Sequence, residues 1–176
     1  MATKVGRLKD LIRDIPDFPR PGVAFKDITP LLADAVAFEE VVEALSRPWV
    51  GAGIDKVLGV EARGFLVAAP VALRLGAGFV PARKAGKLPW QVERQEYALE
   101  YGTDLLEIHR DGIAPGETAL IIDDVLATGG TAEASIKLVE RLGGRAAGLG
   151  FVIELGFLGG RLRLGDRPVT SLLSYE

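Results

Sequence analysis

ALIIDDVLATGGT, residues 119–131, decides how the rest of the chain is read. Ala119, Leu120, Ile121 and Ile122 form an apolar run of the kind that makes a buried strand, most simply in a parallel sheet. The run ends in two acids, Asp123 and Asp124. Thr128, Gly129, Gly130 and Thr131 follow in a short loop, and a helical pattern begins there. A glycine-rich turn at a helix start leaves backbone N–H groups without intrahelical partners, which suits a phosphate. The hydroxyls of Thr128 and Thr131 add to such a nest. Two acids just before it can grip sugar hydroxyls or a metal ion. The expected ligand is a phosphorylated sugar, seated beyond the carboxyl ends of the strands of an open α/β sheet.

The neighbouring segments repeat the theme. Residues 131–142 carry Ala134, Ile136, Leu138, Val139 and Leu142 at helical spacing and stop at Gly143–Gly144. Residues 146–155 read as a continuous apolar strand, 159–166 as a turn, and 169–175 as a last strand. Upstream, Lys56 to Val60 is a strand followed by EARGF, residues 61–65, and a helix to about Leu75. Arg63 in that turn is either ordinary solvated surface or faces the same ligand as Asp123. Strands separated by helices give a doubly wound parallel sheet.

The outer parts are less regular. Val5, Leu8, Leu11, Ile12 and Ile15 predict one packing helix over residues 3–15. Residues 15–30 hold Pro16, Pro19, Pro21 and Pro30, which predicts a stiff loop without regular structure. Within it, Phe25 between Ala24 and Lys26 is either a core plug or a flat apolar face for a ring. Asp34 is placed to cap a helix over 34–47, with Phe38, Val41, Val42 and Leu45 inward and Pro48 as its stop. Gly78 to Pro81 reads as a short strand leading into the basic cluster Arg83, Lys84 and Lys87. The polar stretch 88–102 reads as a long mobile connection, the kind of segment that serves as a lid. Residues 97–101 and 104–109 alternate like strand edges, with His109 a surface or interface residue rather than a catalyst.

Composition narrows the function. With 176 residues, 48% of them hydrophobic, the chain can form one globular α/β domain with a substantial core. A net charge of −3 argues against general nucleic-acid or anionic-membrane binding, so any anion site must be local. There is no cysteine, which excludes thiolate metal sites and cysteine nucleophiles, and one histidine cannot build a His-rich metal site. The first fifteen residues lack the apolar core of a secretory signal. The longest apolar stretch, between Gly64 and Leu73, falls well short of the ~18–20 residues of a membrane span. A cytoplasmic protein is expected.

Neither G-x-x-x-x-G-K-[ST] nor a helix-opening G-x-G-x-x-G occurs, so neither a P-loop nor a dinucleotide site is supported. The strand, acid pair and TGGT loop instead resemble the signature of the type I phosphoribosyltransferases. FPRPGVAFKDITPLL (18–32), EARGF, RKAGKLP (83–89), YALEYG (97–102) and SLLSYE (171–176) extend the resemblance over nearly the whole chain, toward the family's adenine-using members. It implies a type I phosphoribosyltransferase fold in one domain, residues 1–176. That domain would have a base-binding segment (1–33), a lid within a small hood (84–102) and the 119–131 motif for phosphoribosyl pyrophosphate (PRPP). The implied activity is the purine-salvage reaction of adenine with PRPP to give AMP and pyrophosphate. Mg²⁺ would be carried by PRPP and water rather than by direct protein ligands.

By the same resemblance, Asp123 and Asp124 hold the ribose hydroxyls, and Ala127, Thr128, Gly129, Gly130 and Thr131 hold the 5′-phosphate. Arg63, Lys84 and Lys87 face the pyrophosphate. Ala24, Phe25 and Lys26 form the adenine pocket, Phe25 by stacking and its neighbours largely through main chain. Glu100 handles the purine's imidazole proton, and Arg63 joins it in the catalytic set. A cis peptide at Glu61–Ala62 and a homodimer with EARGF and RKAGKLP near its interface are also implied. Two alternatives stand beside this: the same transfer to a 6-oxopurine such as hypoxanthine or guanine, and a regulator that binds PRPP without catalysis. The central motif alone would also allow a generic sugar-phosphate binder.

Overall fold

The computed structural model describes residues 4–98 and 103–176. It begins with α1 (Lys4–Asp10), β1 (Arg13–Ile15), β2 (Phe25–Asp27) and α2 (Thr29–Ala33). These are followed by α3 (Ala35–Ser46), β3 (Lys56–Val60), α4 (Gly64–Leu75) and β4 (Gly78–Lys84). The hairpin of β5 (Val92–Ala98) and β6 (Thr103–His109) precedes β7 (Thr118–Leu126), α5 (Gly130–Arg141), β8 (Arg145–Leu155) and β9 (Val169–Tyr175).

Seven strands form one sheet in the order β5-β6-β4-β3-β7-β8-β9. The five from β4 to β9 are parallel, and β6 and β5 add antiparallel at one edge. The chain steps outward from β3 to β4 on one side and from β7 to β8 on the other. The order therefore reverses between β3 and β7, and the crevice beyond their carboxyl ends is where such sheets bind ligands.

Alternation along β7 builds both halves of the core. Leu120 and Ile122 pack with Val41, Leu45, Val67 and Val71 from α3 and α4. Ala119 and Ile121 pack on the other face with Ile136, Leu138 and Val139 of α5. A strand covered on both faces is what its unbroken apolar sequence requires. The Asp34 side chain accepts a hydrogen bond from Ala37 N at 2.9 Å and caps α3 as expected.

Several expectations need correction. The first helix is shorter than 3–15, because Arg13–Ile15 turns away to pair antiparallel with β2, Ile15 opposite Phe25. The proline-rich stretch is not without regular structure. It contains β2, and Pro30 sits in the first turn of α2, where its missing N–H leaves no bond unmade. The strand after α4 runs on to Lys84, so Arg83 and Lys84 lie on β4 rather than in a loop. Residues 88–102 are not simply a connection, since Val92–Ala98 is the edge strand of the sheet. Its run of charged and polar side chains hid it, although such residues are what protects an exposed edge. Arg141 of α5 ties β5 down through Glu93, the Arg94 carbonyl and Gln95. The expected turn at 159–166 contains a short 3₁₀ helix, Gly160–Leu164, and another, Gly156–Leu158, precedes it.

Candidate active site

Three cavities meet at the acid pair. Because successive side chains of a strand point to opposite faces, Asp123 and Asp124 serve different neighbours. Asp124 lines a large cavity of about 780 Å³ with Phe25, Ala24, Lys26, Arg63 and Ala127. Asp123 lines a small one with Ala127, Thr128, Gly129, Gly130 and Thr131. Both acids line a third cavity of about 330 Å³ with Glu61, Arg63, Lys84, Tyr97 and Thr131. Both acids belong to β7 itself, and Asp123 pairs with Phe151 of β8, which fixes their backbone.

Asp123 Oδ1 accepts the Asp124 N–H at 2.8 Å. Burial, and then the neighbouring Asp124 carboxylate, push the Asp123 carboxyl well above the usual range. Gly64, the first residue of α4, makes room for it: a Cβ there would lie 2.6 Å from Asp123 Oδ1. Asp124 is 7% exposed, and its Oδ2 lies 2.7 Å from Arg63 Nε. The approach is an ion pair without an aligned hydrogen bond, and that oxygen has no hydrogen-bond donor among the described residues. The same guanidinium stands over the Phe25 ring at 4.5 Å.

Phe25 is half-buried and lines the large cavity, which rules against the core-plug reading; Ile28, fully buried, fills that role beneath the loop. Phe18 and Phe25 meet in a T-shaped arrangement at a centroid distance of 5.1 Å. Lys26 commits its ammonium to Asp14 and to the Tyr175 ring, 4.1 Å away.

Glu61 and Ala62 are joined by a cis peptide. Both Glu61 oxygens accept from Arg83, at 2.9 and 3.2 Å, and Oε2 also accepts the Lys84 N–H at 3.0 Å. Arg83, first among the causes, holds the Glu61 carboxyl below its ordinary range. Lys84 Nζ lies 3.2 Å from Asp104, which raises the lysine's pKa. Lys87 is exposed and lines none of the three cavities, although its carbonyl accepts from Arg83. Glu100 falls outside the described residues. His109 lies half-buried on β6 and lines none of the three cavities.

Gly129 has φ +82°, and a Cβ there would lie 2.5 Å from the Gly160 carbonyl oxygen, so the loop backbone and that of Gly160 are in contact. That contact was not legible in the sequence. Neither were Tyr97, Phe157 and Leu158 as lining residues. Phe157 offered a signal, as a large apolar residue just past the carboxyl end of a strand; Tyr97 offered only its place in a resembling motif.

Arrangement of these groups suits a ligand with a flat ring, a sugar with free hydroxyls and phosphates at both ends. Among the described residues no group of three or more acids and histidines converges to hold a metal. A bound Mg²⁺ would fit here by taking phosphate oxygens and water.

Comparison with known proteins gives the same outline. Residues 32–157 match the phosphoribosyl transferase domain family. The adenine phosphoribosyltransferase of Myxococcus xanthus is 56% identical over 173 residues, 98% of this chain and 94% of that protein. The crystal structure of the enzyme of that name from Rhodothermus marinus is 52% identical with a TM-score of 0.95, covering 99% of this chain and all of that one. The Saccharomyces cerevisiae adenine phosphoribosyltransferase, complexed with an imino-altritol bisphosphate and adenine, is 41% identical with a TM-score of 0.91, covering 98% and 100%.

Proposed function

The chain belongs to the phosphoribosyltransferase family, among its adenine phosphoribosyltransferases, and from that premise we propose that it transfers the 5-phosphoribosyl group of PRPP to adenine. The observation that carries the reading is the meeting of three differently lined cavities at Asp123 and Asp124. Adenine takes the large one, against Phe25. The 5′-phosphate takes the amides of Ala127–Thr131. The pyrophosphate takes the third, beside Arg63 and Lys84, with Lys87 adding charge from outside.

The C1–oxygen bond to pyrophosphate breaks as N9 of adenine bonds to C1. Positive charge develops on the ribose and negative charge on the leaving group. Asp123 and Asp124 together hold the ribose 2′- and 3′-hydroxyls and steady the ring while the charge develops. The loop amides fix its far end, so both halves of the sugar are anchored before displacement, which is positioning plus preorganised electrostatics. For its hydroxyl to reach Asp124, PRPP must share or displace Arg63, and the freed guanidinium then faces the pyrophosphate. The N9 proton passes to Glu100, a role taken from the family motif YALEYG. A Mg²⁺ ion, if bound, would be held through PRPP oxygens and water rather than by direct protein ligands, and would supply charge neutralisation for the leaving pyrophosphate.

A cytoplasmic setting fits the absence, among the described residues, of any helix long and apolar enough to cross a membrane. Homodimer formation fits exposed Leu66 and Leu73 on α4 and exposed Phe79 on β4.

A substrate panel tests the activity. With Mg²⁺ and PRPP, the protein should convert adenine to AMP far faster than hypoxanthine or guanine to their nucleotides, and chelation of the metal should abolish turnover. Equal or faster use of a 6-oxopurine would overturn the base assignment.

A further inference from the structure

The short 3₁₀ segment after β8 lies against the phosphate loop. A Cβ on Gly160 would collide with the Ala127 carbonyl oxygen and sit 2.8 Å from Gly129 N, so the two backbones are in direct contact. The next residue, Arg161, grips Glu154 through both carboxylate oxygens, with Nε to Oε1 at 2.8 Å and an Nη2 contact to Oε2. It also donates to the Val169 carbonyl at 3.3 Å and to Ser171 Oγ at 3.2 Å. Glu154 is 9% exposed and pairs across the sheet with Leu126, the residue just before Ala127. One fork thus spans β8, β9 and the segment that touches the loop.

We propose that the Glu154–Arg161 pair is a positioning clamp for PRPP: it presses Gly160 against Ala127 and Gly129 and so sets the amides that take the 5′-phosphate. The inference rests on the reading of that loop as the phosphate cradle. A planar fork bound at two oxygens resists rotation in a way a single contact does not. Neither Glu154 nor Arg161 lines any of the three cavities, so their effect travels through the loop backbone. Arg161, first among the causes, holds Glu154 below its ordinary range, so the carboxylate stays charged at neutral pH.

Initial rates decide it, with PRPP varied at saturating adenine and adenine varied at saturating PRPP, alongside thermal midpoints. Gly160→Ala and Arg161→Met should each raise the PRPP KM about tenfold while kcat and the adenine KM stay within about twofold, because loop geometry alone has moved. Arg161→Lys, which keeps the charge but not the fork, should recover part of the loss. Losses shared equally by PRPP, adenine and kcat, or an unchanged PRPP KM, would overturn the clamp. Should Gly160→Ala fail to fold, the two Arg161 variants still decide. Calorimetry of ribose 5-phosphate on the wild-type protein separates the two ideas. If the wild type binds and the variants behave normally, the clamp alone falls; if the wild type does not bind, the cradle reading falls and the clamp with it.

Discussion

Asp123 and Asp124 are adjacent in sequence yet differ in surroundings. Asp124 meets a guanidinium, whereas Asp123 packs against Gly64 and faces a like charge. Losing the Asp124 carboxylate removes a charged acceptor for a ribose hydroxyl, so Asp124→Asn should raise the PRPP KM roughly tenfold to a hundredfold with the fold intact. Steady-state kinetics check this, and an unchanged KM would take Asp124 out of the site. For Asp123 the sign runs the other way from a salt-bridged acid. Its folded pKa lies above the unfolded value, so the free protein loses stability as pH rises from the ordinary carboxylate range through the folded pKa. Asp123→Asn should therefore raise the thermal midpoint of the ligand-free protein at neutral pH while impairing turnover. Midpoints measured across pH should show the two proteins converging in acid.

At the scale of elements, the β5–β6 hairpin contributes Tyr97 and Leu106 to the cavity that both acids line, and it is held by a buried acid. Glu107 on β6 is 1% exposed; it accepts from Gly86 N at 3.0 Å and lies 2.8 Å from Arg94 Nε. It therefore joins the basic loop after β4 to the edge strand. Glu107→Ala would remove the acceptor of the Gly86 N–H and the charge facing Arg94; both groups are exposed and water can replace the carboxylate, so the cost is about 0.5–1.5 kcal/mol. Thermal denaturation should show the drop. Proteolysis should find its first new cut between residues 84 and 96, the part that Glu107 ties down; an even loss of resistance over the chain would speak against this role.

Across the whole molecule, the sheet puts its crevice at the order reversal between β3 and β7, and α4 keeps two leucines exposed. Leu66 and Leu73 are seven residues apart, on one side of α4, and Leu73 is 83% exposed. If this face joins two copies, Leu73→Glu should shift the protein from dimer to monomer in sedimentation. A wild-type protein that sediments as a monomer would remove the proposal.

Much of this was fixed locally. Ile121, Ile122, the acid pair and the TGGT loop identify a strand, a glycine turn and a helix start from residue types and spacing alone, because a buried strand needs an apolar run and a bare turn needs glycine. The Asp34 cap and the two strand–turn–helix units are equally local. What the tertiary structure decided depends on residues distant in sequence. The charged strand Val92–Ala98 could not be read, since its order comes from backbone pairing with β6 and from Arg141 of α5. Gly160 could not be read either, because its importance lies in touching Ala127 and Gly129. Arg63 was ambiguous in sequence, and only folding brings it to both Phe25 and Asp124. Propensity and pattern act within a few residues of chain, whereas a site at the mouth of a parallel sheet is assembled from loops that meet only once the strands lie side by side.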